Sequence, residues 1–480
     1  MSIRQSIRRG LILVWIVTGW QVLSAGQNPP PQNVPVESPS DNGNRQAPAA
    51  ALSAIAGMQG EGGEEDTSSS LPQIPGLLGG IGISTALLSE MQRSNYLRGG
   101  VNLGATYDDN PLLLSSGQVG NASVSIFPNI KIDETSSRMR WTLGYAGGLT
   151  VNQRYTSLNQ NSQNVNFDSQ YRLSPHVNLR VAENFSMTTG FFDAGNGANI
   201  IAGSGGPNAF LITPLATQKS DATTVETNYH FALNDLIGAS GSFFDSHFSN
   251  VAGEQQLANT QTASGSAFWL HRIFREDWGG VSYRFDRITF DPSGESRVHS
   301  FYAVNTLSLS KRFTLSAFVG PQYSENQGLI YGASQPTNTN GWSVAGGAEV
   351  GWRDQHTSVS GGYSRIISDG GGVLGAVRLQ TVHGNFRRQL TPGWAAALTA
   401  SYGTNQSLTV PFATSASSIN LTSAGISLER NVGKSVGLRM GYTHDFQQQF
   451  GLPAPAPTQN ASRNQVFVTL SYQWAKPLGM

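Results

Sequence analysis

The chain has 480 residues with 30 basic and 30 acidic side chains, so its formal net charge is zero, and it contains no cysteine. The balanced charge gives no argument for nucleic-acid binding. The lack of cysteine excludes disulfides, thiol catalysis and thiolate metal sites. Only 12% of the residues are charged while 55 are glycine, a composition unlike that of a cytosolic enzyme.

The N-terminus has the pattern of a secretory signal peptide. Three arginines precede the apolar run LILVWIVTGW, and the small residues Ser24-Ala25-Gly26 follow it as a cleavage site. We predict that residues 1–26 are a signal peptide, with an uncleaved anchor as the alternative.

Two segments separate this signal from the rest of the chain. Residues 27–75 are proline-rich and polar, so they cannot bury enough apolar surface to offset chain entropy, and we predict a disordered linker. Residues 76–95 are more apolar and are predicted to form a short helix or a plug segment, with a loosely ordered linker as the alternative.

The stretch GWSVAGGAEVGW, residues 341–352, shows the pattern that dominates the remaining sequence. Its even positions are apolar and run from Trp342 to Trp352, while its odd positions are small or polar and include Glu349. This period of two predicts a strand with two different environments. Ten steps of about 3.3 Å, tilted by about 40°, cover about 25 Å, the height of the apolar band on an outer-membrane barrel.

Alternating segments of this kind repeat from residue 96 to residue 474. Short connections such as DETSS and LTPG alternate with longer ones rich in glycine, asparagine and serine. Counting strands in this way gives about eighteen, with the short turns on the periplasmic side and residues 475–480 as a C-terminal tail. The alternation is weaker in VNLRVAENFSMTTGFF, where Glu183 falls on the apolar face.

We weighed other all-β classes against the barrel. A soluble sandwich or propeller would split near about 250 residues and fill its core with valine, isoleucine and leucine. Here the repeats continue without a linker, and glycine, alanine, tyrosine and tryptophan share the apolar face. A β-solenoid needs a fixed short repeat, which we do not find. We therefore predict a transmembrane antiparallel β-barrel at residues 96–474, in the cell outer membrane.

Two sets of residues follow from the alternation. The aromatic residues on the apolar faces are predicted to form girdles at the two membrane interfaces: Trp141, Trp342, Trp352, Trp394, Tyr402, Tyr442, Tyr472 and Trp474. The charged residues on the polar faces are predicted to line a water-filled lumen that favours polar or anionic solutes: Arg140, Arg284, Arg353, Arg378, Arg439, Glu349 and Asp286.

Candidate chemistry is sparse. Asp108, Asp109 and Asn110 precede a proline, so they form either a turn or a weak calcium site at the outer mouth. His444 next to Asp445, and His247 two residues after Asp245, are arrangements that a hydrolase would need, but we favour the simpler interpretation that they are polar residues at the rim of the barrel. We predict that the protein is not an enzyme and needs no cofactor.

The opening strand and turn, YLRGGVNLGATYDDNP, with the signal peptide ahead and the repeats behind, resemble the outer-membrane β-barrel porin families of Gram-negative bacteria. The similarity is to the type associated with exopolysaccharide loci. One departure is that Trp474 is followed by six residues, whereas such barrels commonly end on an aromatic residue.

This resemblance implies a porin through which polar solutes such as saccharides diffuse, or alternatively an accessory barrel for exopolysaccharide export or a cell-surface structure. The expected partners are outer-membrane lipid, the barrel-assembly machinery and a polar solute or polysaccharide, with no nucleic acid. We expect residues 193–220, the longest loop, to fold inward and narrow the pore. The oligomeric state stays open.

Overall fold

The computed structural model describes residues 95–190, 216–249, 257–274, 277–291, 294–310, 312–328, 337–408, 417–451 and 458–478. The segments predicted for residues 1–94 lie outside these ranges. The described chain forms eighteen strands: β1 Tyr96–Asp108, β2 Asn121–Thr135, β3 Met139–Asn152, β4 Gln160–Ser174, β5 Val177–Gly190, β6 Ala216–Ala232, β7 Asp235–Ser249, β8 Asn259–Phe274, β9 Asp277–Asp291, β10 Gly294–Ser310, β11 Phe313–Gly328, β12 Thr337–Arg353, β13 Thr357–Gly370, β14 Leu374–Thr391, β15 Trp394–Ser407, β16 Ser418–Val432, β17 Val436–Phe450 and β18 Thr458–Pro477.

The strands close into one antiparallel barrel. Each strand pairs with its neighbours in sequence, and β1 also pairs with β18, from Tyr96 opposite Pro477 to Asp108 opposite Gln465. Closure pairs the first strand with the last, so the backbone polar groups of the paired wall bond to each other where no water is present. A short 3-10 turn, Thr156–Leu158, precedes β4. None of the helices in the described ranges has the length and hydropathy to cross a membrane.

The two ends of the barrel differ in their connections. At one end, which we call the periplasmic end, the strands are joined by tight turns such as residues 175–176 and 392–393. The first residue of β1 and the last residue of β18 also lie at this end. At the opposite, extracellular end, most connections are longer, and the longest runs from residue 191 to residue 215. Two connections at this end, residues 292–293 and 371–373, are short. This asymmetry matches the alternation of connection lengths predicted from the sequence.

The outer face of the wall carries the apolar parity of each strand. On β12 this parity comprises Trp342, Val344, Val350 and Trp352, which are all exposed on the barrel exterior. The opposite parity on the same strand, including Glu349, faces the lumen. Other strands expose leucine, isoleucine, valine and tyrosine in the same way. An exterior that is apolar over most of its surface has no place in water, so lipid is its solvent.

The predicted girdle residues all lie on this outer parity. Those near the periplasmic end are Trp141, Trp352, Trp394, Tyr472 and Trp474, and those farther up the wall are Trp342, Tyr402 and Tyr442. Aromatic rings at two levels with aliphatic side chains between them match the two interfaces of a bilayer. The protein is an outer-membrane β-barrel of eighteen antiparallel strands.

Adjacent residues on opposite faces provide a test of this arrangement. Leu398 of β15 is exposed on the exterior, and Thr399 faces the lumen. We expect Leu398→Arg to lower the free energy of unfolding by about 2–4 kcal/mol, because the guanidinium meets hydrocarbon. Thr399→Arg should cost less than about 1 kcal/mol. Urea unfolding in lipid vesicles measures both, and equal costs would contradict the assigned faces.

Candidate pore and its constriction

Six of the seven predicted pore residues lie on the inner face of the wall. Arg284 and Asp286 of β9 form a buried ion pair, with 2.6 Å between Arg284 Nη2 and Asp286 Oδ1. Arg439 of β17 lies 3.5 Å from Glu429. Glu349 lies 3.8 Å from His383 Nε2. Arg140 is on the inner parity of β3, and Arg353 ends β12 at the periplasmic end.

Arg378 is placed differently from the other six residues. On β14 it shares its parity with Val382 and Leu390, which are exposed on the exterior. Its Nη1 donates to Oε1 of Gln406, which is on the outer parity of β15. Arg378 lies in the part of β14 that turns away from the wall with β13, so strand parity does not decide whether it faces the pore, and its place in the pore lining stays a prediction.

Basic side chains gather on the inner face close to the periplasmic end. Nine of them, in the described strands, lie within four residues of the periplasmic end of their strand: Arg98, Lys131, Arg140, Arg172, Arg180, Arg272, Arg353, Arg387 and Arg439. We call this set the periplasmic basic ring. The inner-face acids at the same levels, among the described residues, are Asp133, Glu349 and Glu429.

Ion pairs hold part of the ring in place. Arg387 Nη2 lies 3.2 Å from Glu429, which Arg439 also approaches. Arg180 bridges Asp168, at 2.5 Å, and Glu226, at 3.4 Å, on the two neighbouring strands. Cations outnumber acids in the ring, so the potential at this mouth is positive.

The hairpin formed by β13 and β14 leaves the wall at its extracellular end. β12 and β13 pair only between Gly346, opposite Arg365, and Arg353, opposite Ser358. β13 and β14 stay paired up to Gly370 opposite Leu374. The outer part of this hairpin, residues 366–379, which we call the inner hairpin, is therefore free to turn away from β12.

Contacts of the hairpin tip show that it turns into the lumen. The backbone N–H of Ala258, just before β8, donates to the carbonyl of Gly372 at 2.8 Å. The side chain of Thr260 on β8 bonds to Asp369. Ala376 packs with Ala258 and with Ile288 and Phe290, two inner-face residues of β9. Because β8 and β9 lie several strands away from β13, the tip reaches them only through the interior.

An apolar patch on the inner wall receives this hairpin. It consists of Leu236, Phe268, Leu270, Trp278, Tyr302, Val304, Phe318 and Ala345, on six consecutive strands from β7 to β12. Ile366 of the inner hairpin packs against this patch. On the other side of the hairpin, Leu374, Val377 and Leu379 pack with Ile419 of β16. This contact removes part of the apolar inner wall from water.

The inner hairpin was not predicted from the sequence. Our expected constriction was residues 193–220, of which residues 193–215 lie outside the described ranges and residues 216–220 begin β6. A signal for the hairpin was present in RIISDGGGVLGAVRLQ, residues 365–380, where apolar residues occupy both parities around three consecutive glycines. A strand that is apolar on both parities is buried on both faces.

The cluster Asp108–Asn110 has protein donors at its oxygens. Asp108 Oδ1 accepts from the backbone N–H of Asn110 and Oδ2 from Gln465 Nε2, both at 2.9 Å. Asp109 accepts from the backbone N–H and the side chain of Asn464 at 2.7 and 2.6 Å. These bonds fasten the turn after β1 to β18, and the turn is the interpretation that we carry forward. No group of three acidic or histidine side chains in the described ranges is arranged to hold a metal ion.

The histidines considered for a hydrolase lie on the exterior. His247 Nε2 is 3.2 Å from Asp245 Oδ2, and both are on the outer parity of β7. His444 bonds to Asn464 on the outer face of β17, while Asp445 points inward to Arg463. His444 and Asp445 are therefore separated by the wall and do not form a pair.

No protein-family model matches the chain, and no curated protein matches it. Solved structures similar to it include Pseudomonas aeruginosa OpdK with vanillate, at 10% identity, covering 79% of this chain and 99% of that one, with a TM-score of 0.39. P. aeruginosa OpdQ is similar at 10% identity over 80% of this chain and all of that one, with a TM-score of 0.41. The P. aeruginosa siderophore receptor PirA is similar at 9% identity over 80% of this chain and 81% of that one, with a TM-score of 0.40. Likeness at this level says nothing of what passes through the barrel.

Removing the inner hairpin tests its role as a constriction. Ile366 and Leu379 are paired, so an Asn-Gly turn replacing residues 367–378 would keep the remaining ladder. We expect the single-channel conductance in planar bilayers to rise by roughly two-fold or more, because an eighteen-stranded barrel without an insert has a wide lumen.

The control is deletion of residues 115–118 from the exposed loop after β1, which should leave conductance unchanged. Equal conductance of the hairpin variant and the native protein would rule out the hairpin as the narrowest point.

Proposed function

We propose that the protein is an outer-membrane diffusion channel for polar solutes, saccharides among them. The observation that supports this proposal is a closed eighteen-stranded wall in which every strand places hydroxyl, amide or charged side chains on the inner face. Barrels of 16–18 strands leave an aqueous channel. The inner hairpin narrows this channel at its extracellular half, and solutes pass beside the hairpin.

The periplasmic basic ring gives the channel a preference for anions. Positive side chains on nine of the eighteen strands lower the energy of an anion and raise that of a cation at this mouth. Arg284 with Asp286, and Arg463 with Asp445, are paired nearer the extracellular end and add little net charge. The field is therefore set at the periplasmic side.

Liposome swelling tests the diffusion function. Vesicles containing the protein should swell in isotonic monosaccharides and disaccharides and resist large polysaccharides, because the hairpin limits the cross-section. Vesicles of the same lipid without protein are the control. Absence of swelling with a monosaccharide would refute the channel.

Ion selectivity tests the basic ring separately. The triple variant Arg98→Gln, Arg140→Gln, Arg387→Gln removes three cations from the inner face. We expect it to lower the permeability ratio of chloride to potassium by roughly three-fold or more, measured from the reversal potential in a KCl gradient.

Its matched control removes three cations from the outer parity near the same end: Arg388→Gln, Arg430→Gln, Lys476→Gln. Net charge changes equally in both variants, so only the face differs. Equal effects of the two triples would show that the inner ring does not select ions.

The second candidate, an accessory barrel for exopolysaccharide export or a cell-surface structure, comes from the sequence resemblance. In that role a partner would dock on residues 27–95, of which only residue 95 is described. Pull-down with a chain lacking residues 27–90 separates the two roles: loss of partners would favour export, and unaltered solute flux would favour the porin.

A further inference from the structure

The apolar patch on the inner wall extends well below the inner hairpin. Leu236 and Trp278 lie one residue from the periplasmic end of their strands, and Leu270 lies four residues from it. Ile366, which packs against the patch from the hairpin, lies nine residues from the periplasmic end of β13. The hairpin continues from Ile366 toward the extracellular end, so its contact is with the upper part of the patch.

The lower part of the patch is nevertheless shielded from water, since Leu236 and Leu270 are 0% exposed. Side chains that stand side by side on a sheet cover each other's flanks and leave their ends open, as Leu398 does on the outer wall at 47%. On the inner face of β2, Lys131 lies at the same height as Leu270 and keeps 27% of its side chain exposed. A further layer on the lumen side is therefore needed to bury Leu236 and Leu270.

Residues 76–94 join the barrel at the same mouth, because Asn95 precedes β1 and β1 begins at the periplasmic end. From β1 to β10, in the middle of the patch, is nine strands, half of the ring of eighteen. Strands about 4.8 Å apart and tilted by about 40° enclose a ring roughly 36 Å wide. Ten residues of about 3.3–3.6 Å each cross that width, which leaves residues 76–84 to reach the far wall, where the patch lies.

The composition of this segment fits an apolar surface. Residues 76–89, GLLGGIGISTALLS, contain no charged side chain, and six of them are leucine or isoleucine: Leu77, Leu78, Ile81, Ile83, Leu87 and Leu88. Each such side chain gains about 1.5–3 kcal/mol when it is fully buried rather than left in water. Residues 27–75, which are polar and proline-rich, offer no comparable run next to the barrel.

We propose that residues 76–89 dock inside the lumen, with their apolar side chains against the lower part of the apolar patch. The docked segment enters through the periplasmic mouth and occupies the sector of β7 to β12. Seven of the nine residues of the periplasmic basic ring lie on strands outside this sector, so the charged part of the mouth stays open. Solutes then pass between the docked segment and the basic wall. The docking does not depend on which solutes pass, so it is tested apart from the channel function.

Cysteine reactivity tests the docking in the full-length chain, because the chain has no native cysteine. The thiol of Leu270→Cys lies under the docked segment, and that of Lys131→Cys lies outside the covered sector, each four residues from the periplasmic end. We expect an uncharged, water-soluble maleimide to modify Lys131→Cys at least about ten-fold faster than Leu270→Cys in purified protein. An uncharged reagent keeps the basic ring from biasing the comparison.

Charging the segment should release the patch. Ile81→Asp with Leu88→Asp, added to each cysteine variant, places carboxylates where the docking needs apolar contact. The modification rate of Leu270→Cys should rise about ten-fold, while that of Lys131→Cys should stay within about two-fold. Ser68→Asp with Ser70→Asp, just before the segment, adds the same charge and should leave both rates unchanged. Heat-modifiable migration on gels checks that the barrel of each variant is folded.

A cross-link tests the contact directly. A short bismaleimide should join Ile81→Cys to Leu270→Cys within one chain, which changes its migration on a denaturing gel. The pair Ile81→Cys with Lys131→Cys is the control and should not be joined, because Lys131 lies outside the covered sector.

Three outcomes would overturn the proposal. Equally slow modification of Leu270→Cys with and without the two aspartates would show that the wall alone buries the patch. Release by deletion of residues 196–210 instead would assign the cover to the connection between β5 and β6, and loss of protection on purification from outer membranes would assign it to another protein. Release by the aspartates in a protein that causes no liposome swelling would support the docking and refute the channel.

Discussion

Satisfaction of backbone hydrogen bonds in a solvent without water is the constraint on which this structure depends. Each unpaired N–H or C=O in hydrocarbon costs several kcal/mol, so a sheet in a membrane must close on itself. Here the closing ladder runs between β1 and β18. At the extracellular end of that ladder, Asp109 accepts a hydrogen bond from the Asn464 N–H. At its periplasmic end, the Leu478 N–H donates to the Asn95 carbonyl. Closure then divides every strand into a lipid parity and a lumen parity.

The same constraint explains why the inner hairpin is possible where it is. Above Gly346, β12 has β11 as its paired neighbour and no ladder to β13. The edge of β12 without this ladder comprises residues 337–345, the half of the strand nearer the extracellular end. The hairpin itself keeps its internal ladder. Its apolar side chains pack inside the barrel, Ile366 among them against the patch on β7 to β12. A wall segment thus becomes a constriction while the backbone of the hairpin itself stays paired.

The fold was largely predictable from the sequence because lipid enforces a period of two. Trp342 and Trp352 marked the outer parity of β12, and the connection lengths gave the strand number and both ends. The inner hairpin was missed because long-range packing overrides the local pattern between Ile366 and Leu379. We assigned the residues of this segment, Arg378 among them, to an inner or an outer face as if the segment were part of the barrel wall. The periplasmic basic ring was only partly found, since Arg98, Arg172 and Arg387 are separated in sequence and meet only around the closed ring.

Charge on the two faces of the wall obeys different rules. An inner charge is hydrated and acts over the width of the pore, so Arg140 needs no partner to influence a passing ion. An outer charge has no such solvent. Glu183, which breaks the apolar alternation of its strand, therefore raises the free energy of the folded barrel unless a partner compensates it. The contrast with Leu149 and Val165 on neighbouring strands shows that the barrel tolerates this cost in one sector. The outer charges of the described strands have partners that reduce this cost: Glu183 accepts from Thr223, and Arg297 lies between Glu295 and Glu325.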